Sequence, residues 1–191
     1  RSNPLGLAEF TLSRRDPEYV ARAKAVRDLE DARKAGKNAA EVEEVFKLIH
    51  QIPGQENVQA SEVEIGSTIY ANKPGDGSAR EQAASCQKVL GGDANICYEY
   101  ATKRYRSNCI NWGIVPFTIS KDTPFDYKPG DFVFVPGLRD AILSGKEEID
   151  AKVICADGVK DIHLYFQNLT ADERDILSKG CLMNYYAAQK K

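Results

Sequence analysis

One run of residues in this chain has the types and spacing to do chemistry: Gly75-Asp76-Gly77-Ser78-Ala79-Arg80-Glu81. Two glycines two apart allow the backbone to turn sharply and to come close to a ligand. Ser78 stands near the expected start of a helix, where unpaired N–H groups and the helix dipole favour an anion. Arg80 adds a planar cationic fork suited to a carboxylate. The run therefore describes a site for a small carboxylate or phosphate. An ordinary strand–turn–helix, with Ser78 as N-cap and Arg80 and Glu81 in solvent, accounts for the seven residues equally well.

The flanking pattern supplies the elements that must position this turn. Val63, Ile65 and Ile69-Tyr70 read as a strand leading in, and residues 79–90 as a helix leading out, closed by Gly91-Gly92. Residues 94–97 form the next expected strand, residues 98–112 a helix ended by Gly113, and residues 114–119 another strand. Pro116 has no N–H to give and argues for the edge or end of its strand. Downstream, residues 131–136 read as a strand, and residues 152–156 and 161–166 as a hairpin across Asp157-Gly158. Thr170-Ala171-Asp172-Glu173 is a capping-box pattern opening a last helix towards Ala188. Upstream, Asp16 and Pro17 read as N-cap and first position of a charged amphipathic helix ending at Gly36. A second helix starts at Asn38, runs through Val42, Val45, Phe46 and Ile49, and stops at Pro53-Gly54. The expected fold is α/β: a mixed sheet with flanking helices over residues 61–191, preceded by a segment, residues 1–60, that adds a helical hairpin.

Composition narrows the function classes. The 191 residues are 42% hydrophobic, enough for one sizeable core. Lys and Arg (26) nearly balance Asp and Glu (28), so no global field points to nucleic acid or an anionic membrane. No apolar run approaches the length of about 20 residues that a membrane span needs, and no secretory pattern opens the chain. Cys86, Cys97, Cys109, Cys155 and Cys181 are odd in number and scattered, without a C-x-x-C. That argues against a disulfide framework or structural zinc, and for reduced thiols in a cytoplasmic protein. His50 and His163 are too far apart in sequence to suggest a metal pair, and His163 reads as a structural strand residue. The charges between Arg27 and Lys37, and the cluster Lys103-Arg104-Tyr105-Arg106, read as solvated helix faces. Trp112 reads as a core or hinge-packing residue. The opening Arg1-Ser2-Asn3-Pro4, without an initiator Met, gives the expectation of a fragment of something longer.

From residue 75 to residue 117 the chain resembles the aconitase and isopropylmalate isomerase superfamily, in its C-terminal, swivelling β/β/α domain. That family carries G-x-G-S-S-R-E before a helix, then L-G-G, then a helix containing an Asn, then G-(L/V)-(L/V)-P-(L/F). Here Leu90-Gly91-Gly92, Asn108 and Gly113-Ile114-Val115-Pro116-Phe117 follow the turn in matching order. Three features depart: Ala79 replaces the second Ser, removing one substrate-contacting hydroxyl, Gln82 stands where the family has His, and Ala83-Ala84-Ser85-Cys86-Gln87 replaces a Pro-containing stretch. The resemblance implies reversible dehydration and hydration of a hydroxy di- or tricarboxylic acid. It casts Ser78 as the base and Arg80 as the substrate-binding arginine, with Gly77 and Ala79 offering backbone and Arg1 as a counterpart, by position, of a further carboxylate-binding arginine.

The family performs this reaction at a [4Fe–4S] cluster with one open iron, held by one Cys plus a C-x-x-C pair. This chain has no such pair, so no metal ligands are assigned in it and the cluster is expected on other domains of the same polypeptide or on a large subunit. By that reading the isolated chain is inactive, and its partners are a small carboxylic acid and the cluster-bearing domains, without membrane or nucleic acid. Two other readings stand beside it: a free-standing small subunit of an isopropylmalate-isomerase-type enzyme, or a non-catalytic carboxylate- or RNA-binding relative.

Overall fold

Helix starts near the N-terminus are set by capping side chains. Asn3 accepts from the Gly6 N–H (2.9 Å) ahead of α1 (Pro4–Ser13), and Asp16 from the Glu18 N–H (3.1 Å) ahead of α2 (Pro17–Lys34). Both helices begin with proline, whose missing N–H would be unpaired there in any case. The structure, a computed structural model, describes residues 3–14 and 16–189. α3 (Ala40–Ile49) starts two residues beyond Asn38 and has no side-chain cap. Three helices thus stand where the periodicity predicts two. α1 escapes a periodicity argument because Leu5, Leu7 and Phe10 are exposed while Ala8 is buried, so its apolar residues make no single stripe.

Next come β1 (Ser67–Ala71), α4 (Arg80–Val89), β2 (Gly92–Cys97), α5 (Lys103–Asn111) and β3 (Val115–Thr118), two successive crossover units that place three strands parallel and side by side. β4 (Phe132–Phe134), α6 (Leu138–Leu143), β5 (Glu148–Cys155), β6 (Gly158–Tyr165), α7 (Ala171–Ser178) and α8 (Leu182–Gln189) follow. One six-stranded mixed sheet results, in the order β1-β2-β3-β6-β5-β4, antiparallel from β3 onward. Its main core gathers Ile96, Phe117, Val153 and Leu164 from the sheet and Phe166 just past β6 with Ile110 of α5 and Ile176 of α7. A second cluster, Ala8, Ala23, Cys86 and Leu90, ties α1 and α2 to α4. The N-terminal helices therefore share a core with the helix that leaves the candidate turn.

Several local expectations shift for tertiary reasons. β3 is interior in the sheet order, yet β6 pairs with it only at Thr118, so Pro116 has a ladder partner on one side alone. The predicted helix over 98–112 begins at Lys103, because the Thr102 hydroxyl accepts from the Tyr105 N–H (3.2 Å) and starts it there. The hairpin turn is Ala156-Asp157, since Cys155 pairs with Gly158. The last predicted helix divides at Gly180 (φ +90). Gly180 lies against α5: a Cβ on Gly113 (φ +73) would come 1.7 Å from its carbonyl oxygen.

His163 does take a strand position on β6. Its Nδ1 is 2.6 Å from Asp150 Oδ1 and its Nε2 is 3.3 Å from Glu148 Oε2 across the β5–β6 pair. The hydrogen bond to Asp150, seconded by Glu148, raises its pKa above the usual 6.5. A raised folded-state pKa stabilises the fold fully below the unfolded value, and that stability is lost as pH rises through the folded value. The pairs are well exposed, so the contribution is below about 1 kcal/mol. His163→Gln should therefore lower the melting temperature at pH 5.5 and lose that effect by pH 9; a pH-independent difference would contradict the coupling.

Candidate functional site

The candidate turn lies beyond the carboxyl ends of parallel strands, the edge at which open α/β sheets present ligands. The loops leaving β1 and β2 are joined there: the Tyr98 N–H donates to Asn72 O (3.2 Å) and the Ala101 N–H to Pro74 O (2.8 Å). The Gly75 carbonyl is the hub. It accepts from Arg80 Nε and from Thr102 Oγ1, both at 3.1 Å. Gly75 has φ +96, and a Cβ on it would lie 2.5 Å from the Tyr105 side chain. Glycine is required there twice, by backbone conformation and by close packing. Gly77 is different: its φ is not in the left-handed region, and no atom lies within 4 Å of where its Cβ would be.

Ser78 is exposed and is not the helix cap. α4 takes Ala79 as its N-cap, and no side-chain acceptor serves the first turn from that position. The job is done from a neighbouring helix. The Asn108 amide, in the orientation that satisfies both its neighbours, accepts from the Glu81 N–H (3.0 Å) and donates to Arg104 O (3.3 Å). One helical turn later Trp112 Nε1 donates to Glu81 Oε1 (2.6 Å). Asn108 and Trp112, four residues apart on one face of α5, thus hold the start of α4. Arg80 spends its Nε on Gly75 and forms no ion pair among the described residues, which leaves the outer edge of its fork for an external anion.

Gly75, Gly77, Ser78, Ala79 and Arg80 are therefore gathered on one exposed turn, while Arg1 lies outside the described residues. Sequence reading missed Thr102 and misplaced Tyr105. The cluster Lys103-Arg104-Tyr105-Arg106 is not one solvated face: Lys103 and Arg104 are exposed, but Tyr105 is buried under Gly75 and Arg106 pairs with Glu173 (3.2 Å). A hydroxyl residue just ahead of a helix is the signal that could have found Thr102.

The thiols do not form a ligand set. Cys86, Cys97 and Cys109 are buried, and burial raises Cys97 to about 12 and Cys109 to about 11, so neither is a thiolate at neutral pH. Among the described residues no three His, Cys, Asp or Glu side chains gather as a metal site. No helix among them is long and apolar enough to cross a membrane.

The two glycines make separable demands. Gly75→Ala should cost about 2–4 kcal/mol, from left-handed strain plus the clash with Tyr105, whereas Gly77→Ala should stay within about 0.5 kcal/mol. Denaturant unfolding of the two variants checks this, and similar losses from both would contradict the geometry.

Residues 23–122 match the aconitase C-terminal domain family. The chain is 26% identical over 156 residues to the mitochondrial homocitrate dehydratase of Saccharomyces cerevisiae, covering 78% of this chain but only 20% of that protein. It is 30% identical over 142 residues to the methanogen homoaconitase small subunit of Methanocaldococcus jannaschii, covering 74% of each. A crystal structure of 3-isopropylmalate dehydratase from the same archaeon superposes with a TM-score of 0.44 at 26% identity, over 69% of both chains. The chain thus spans about a fifth of the yeast relative and about three quarters of the archaeal small subunit. On the family match, which takes in more than half of its residues, this chain belongs to the aconitase C-terminal domain family.

Proposed function

We propose that this chain is the substrate-carboxylate-binding and base-supplying part of an aconitase-family hydratase, acting on a hydroxy di- or tricarboxylic acid. The observation that carries the reading is the pairing, on one exposed turn, of a Ser78 that does not cap α4 with an Arg80 whose guanidinium forms no ion pair among the described residues. Arg80 holds a substrate carboxylate by two parallel N–H donors, a geometry that also fixes the position of the adjacent carbon. Ser78 takes the proton from that carbon. A serine hydroxyl is so weak an acid that this requires concentrated positive charge, which Arg80 and the start of α4 supply. Gly77 leaves room for the substrate to approach the Gly77 and Ala79 backbone.

A [4Fe–4S] cluster belongs to the same reading, but the described residues do not fit one: the buried Cys97 and Cys109 are protonated and no ligand set gathers among them. The cluster then sits on a partner portion, either elsewhere on the same polypeptide or on a large subunit, as the small-subunit name of the archaeal relative supports. The unpaired thiols fit a reducing, cytoplasmic setting. The isolated chain is inactive on this reading, because it supplies only one wall of the site.

The test is reconstitution of the holoenzyme with iron and sulfide and a panel of hydroxy di- and tricarboxylic acids. Ser78→Ala should lower kcat by about 10²–10⁴ with little change in KM, since it removes proton transfer alone. Arg80→Lys should raise KM about tenfold or more, since a point charge does not replace a bidentate fork. Small, equal effects from both variants, or a loaded wild type that dehydrates none of these acids, would sink the assignment.

A further inference from the structure

Arg80 and Glu81 stand next to each other at the start of α4 with opposite charges, yet among the described residues no ion pair joins them. Each is drawn elsewhere by a neutral partner. Arg80 Nε turns back onto the Gly75 carbonyl (3.1 Å), and Glu81 Oε1 accepts from Trp112 Nε1 (2.6 Å) at the end of α5. The Glu81 N–H goes to the Asn108 amide oxygen (3.0 Å), one turn earlier on the same helix face. An indole suits this task, because it donates one hydrogen bond, accepts none and carries no charge. Its ring is fixed from behind: Trp112 is half-buried and packs, with Ala83 and Tyr100, against the cluster of Ala84, Tyr105, Cys109 and Ile114. A phenyl ring would fill that space too, so what the indole adds is an N–H aimed at Glu81.

We propose that Trp112 is a positioning residue for carboxylate binding: by holding the Glu81 carboxylate against α5, it keeps the outer edge of the Arg80 fork open to the substrate. Trp112 touches no substrate and acts through Glu81, which is a built-in competitor. Released, the exposed Glu81 carboxylate would reach for the neighbouring guanidinium at an effective concentration on the order of millimolar. Its charge would also repel an incoming carboxylate. An acid is nonetheless useful at this position. Glu81 is the acidic residue in the first turn of α4, where negative charge steadies a helix start. The Trp112 tie keeps that benefit without letting the acid close the site. The inference rests on the hydratase reading for the identity of the anion, and on the geometry of Arg80, Glu81 and Trp112 for the rest.

The chain has one tryptophan, so the indole N–H gives a single NMR resonance that reports on the tie. In the 191-residue chain, Glu81→Gln should move that resonance upfield. Malonate, a small dicarboxylate probe, should perturb the backbone amides of residues 78–80. Trp112→Phe should weaken that binding at least about threefold, and the same change in a Glu81→Gln background should leave it unaltered. In the reconstituted holoenzyme, Trp112→Phe should raise KM at least about threefold, keep kcat within about twofold and shift the melting temperature by less than about 2 °C. A purely structural role for Trp112 would not depend on the charge at Glu81. An indole resonance that Glu81→Gln leaves in place, wild-type amides that malonate does not move, equal weakening with Glu81 and with Gln in its place, or a fall in kcat at constant KM would each overturn the proposal. A holoenzyme that dehydrates no hydroxy acid, with the malonate pattern intact, would sink the hydratase reading and uphold this one.

Discussion

The structure around the candidate site depends on one close approach, that of the Tyr105 ring to the Gly75 backbone. No side chain fits between them, and only a residue free to take φ +96 can make the turn. Because the backbone is pressed onto the ring, the Gly75 carbonyl faces two donors at once, Arg80 Nε and Thr102 Oγ1. One of those side chains is a proposed ligand-binding group and the other starts α5. The same contact thus sets the fork of Arg80, joins the β1 and β2 loops, and decides where the following helix begins.

Tyr105 is held from behind by polar groups in the core. Asn95, buried on β2, donates to the Tyr105 hydroxyl (3.3 Å) and to Cys109 Sγ (3.4 Å), and accepts from Gln87 of α4 (2.7 Å). A buried amide left unpaired would cost about 1–3 kcal/mol, so this network selects one arrangement of β2, α4 and α5. The other family motifs work in the same way. Leu90 fills the cluster beneath α1 and α2. Gly92 lets Gln87 lie against β2, where a Cβ would come 2.5 Å from Gln87 Cγ. Gly113 lets α5 end against Gly180. None of them reaches the turn, yet together they fix the helix pair that carries it.

What the chain leaves unsatisfied is as telling as what it satisfies. Arg174 pairs with Glu147 and Arg106 with Glu173. Among the described residues Arg80 forms no ion pair and Ser78 caps nothing, and Gly77 guards empty space. Neither the cleft bordered by β1 and β4 nor the pocket between α6 and α7 touches this turn. An open turn with unpaired groups is the surface expected of a part that meets the rest of its site across a domain or subunit boundary.

The sequence alone determined the local order: the strand–turn–helix at Gly75, the capping of α2 and α7, the β5–β6 hairpin, and the family to which residues 75–117 belong. These are short-range effects, in which spacing, caps and turn residues act within a few positions. Tertiary structure decided the rest. That Tyr105 is buried while Lys103 and Arg104 are not depends on Gly75, thirty residues away in sequence. That α4 is capped by Asn108, that Gly180 breaks the last helix, and that β3 is interior despite Pro116 follow from which elements meet. That β1 and β4 border one cleft involves strands more than sixty residues apart, and no local periodicity can carry that information.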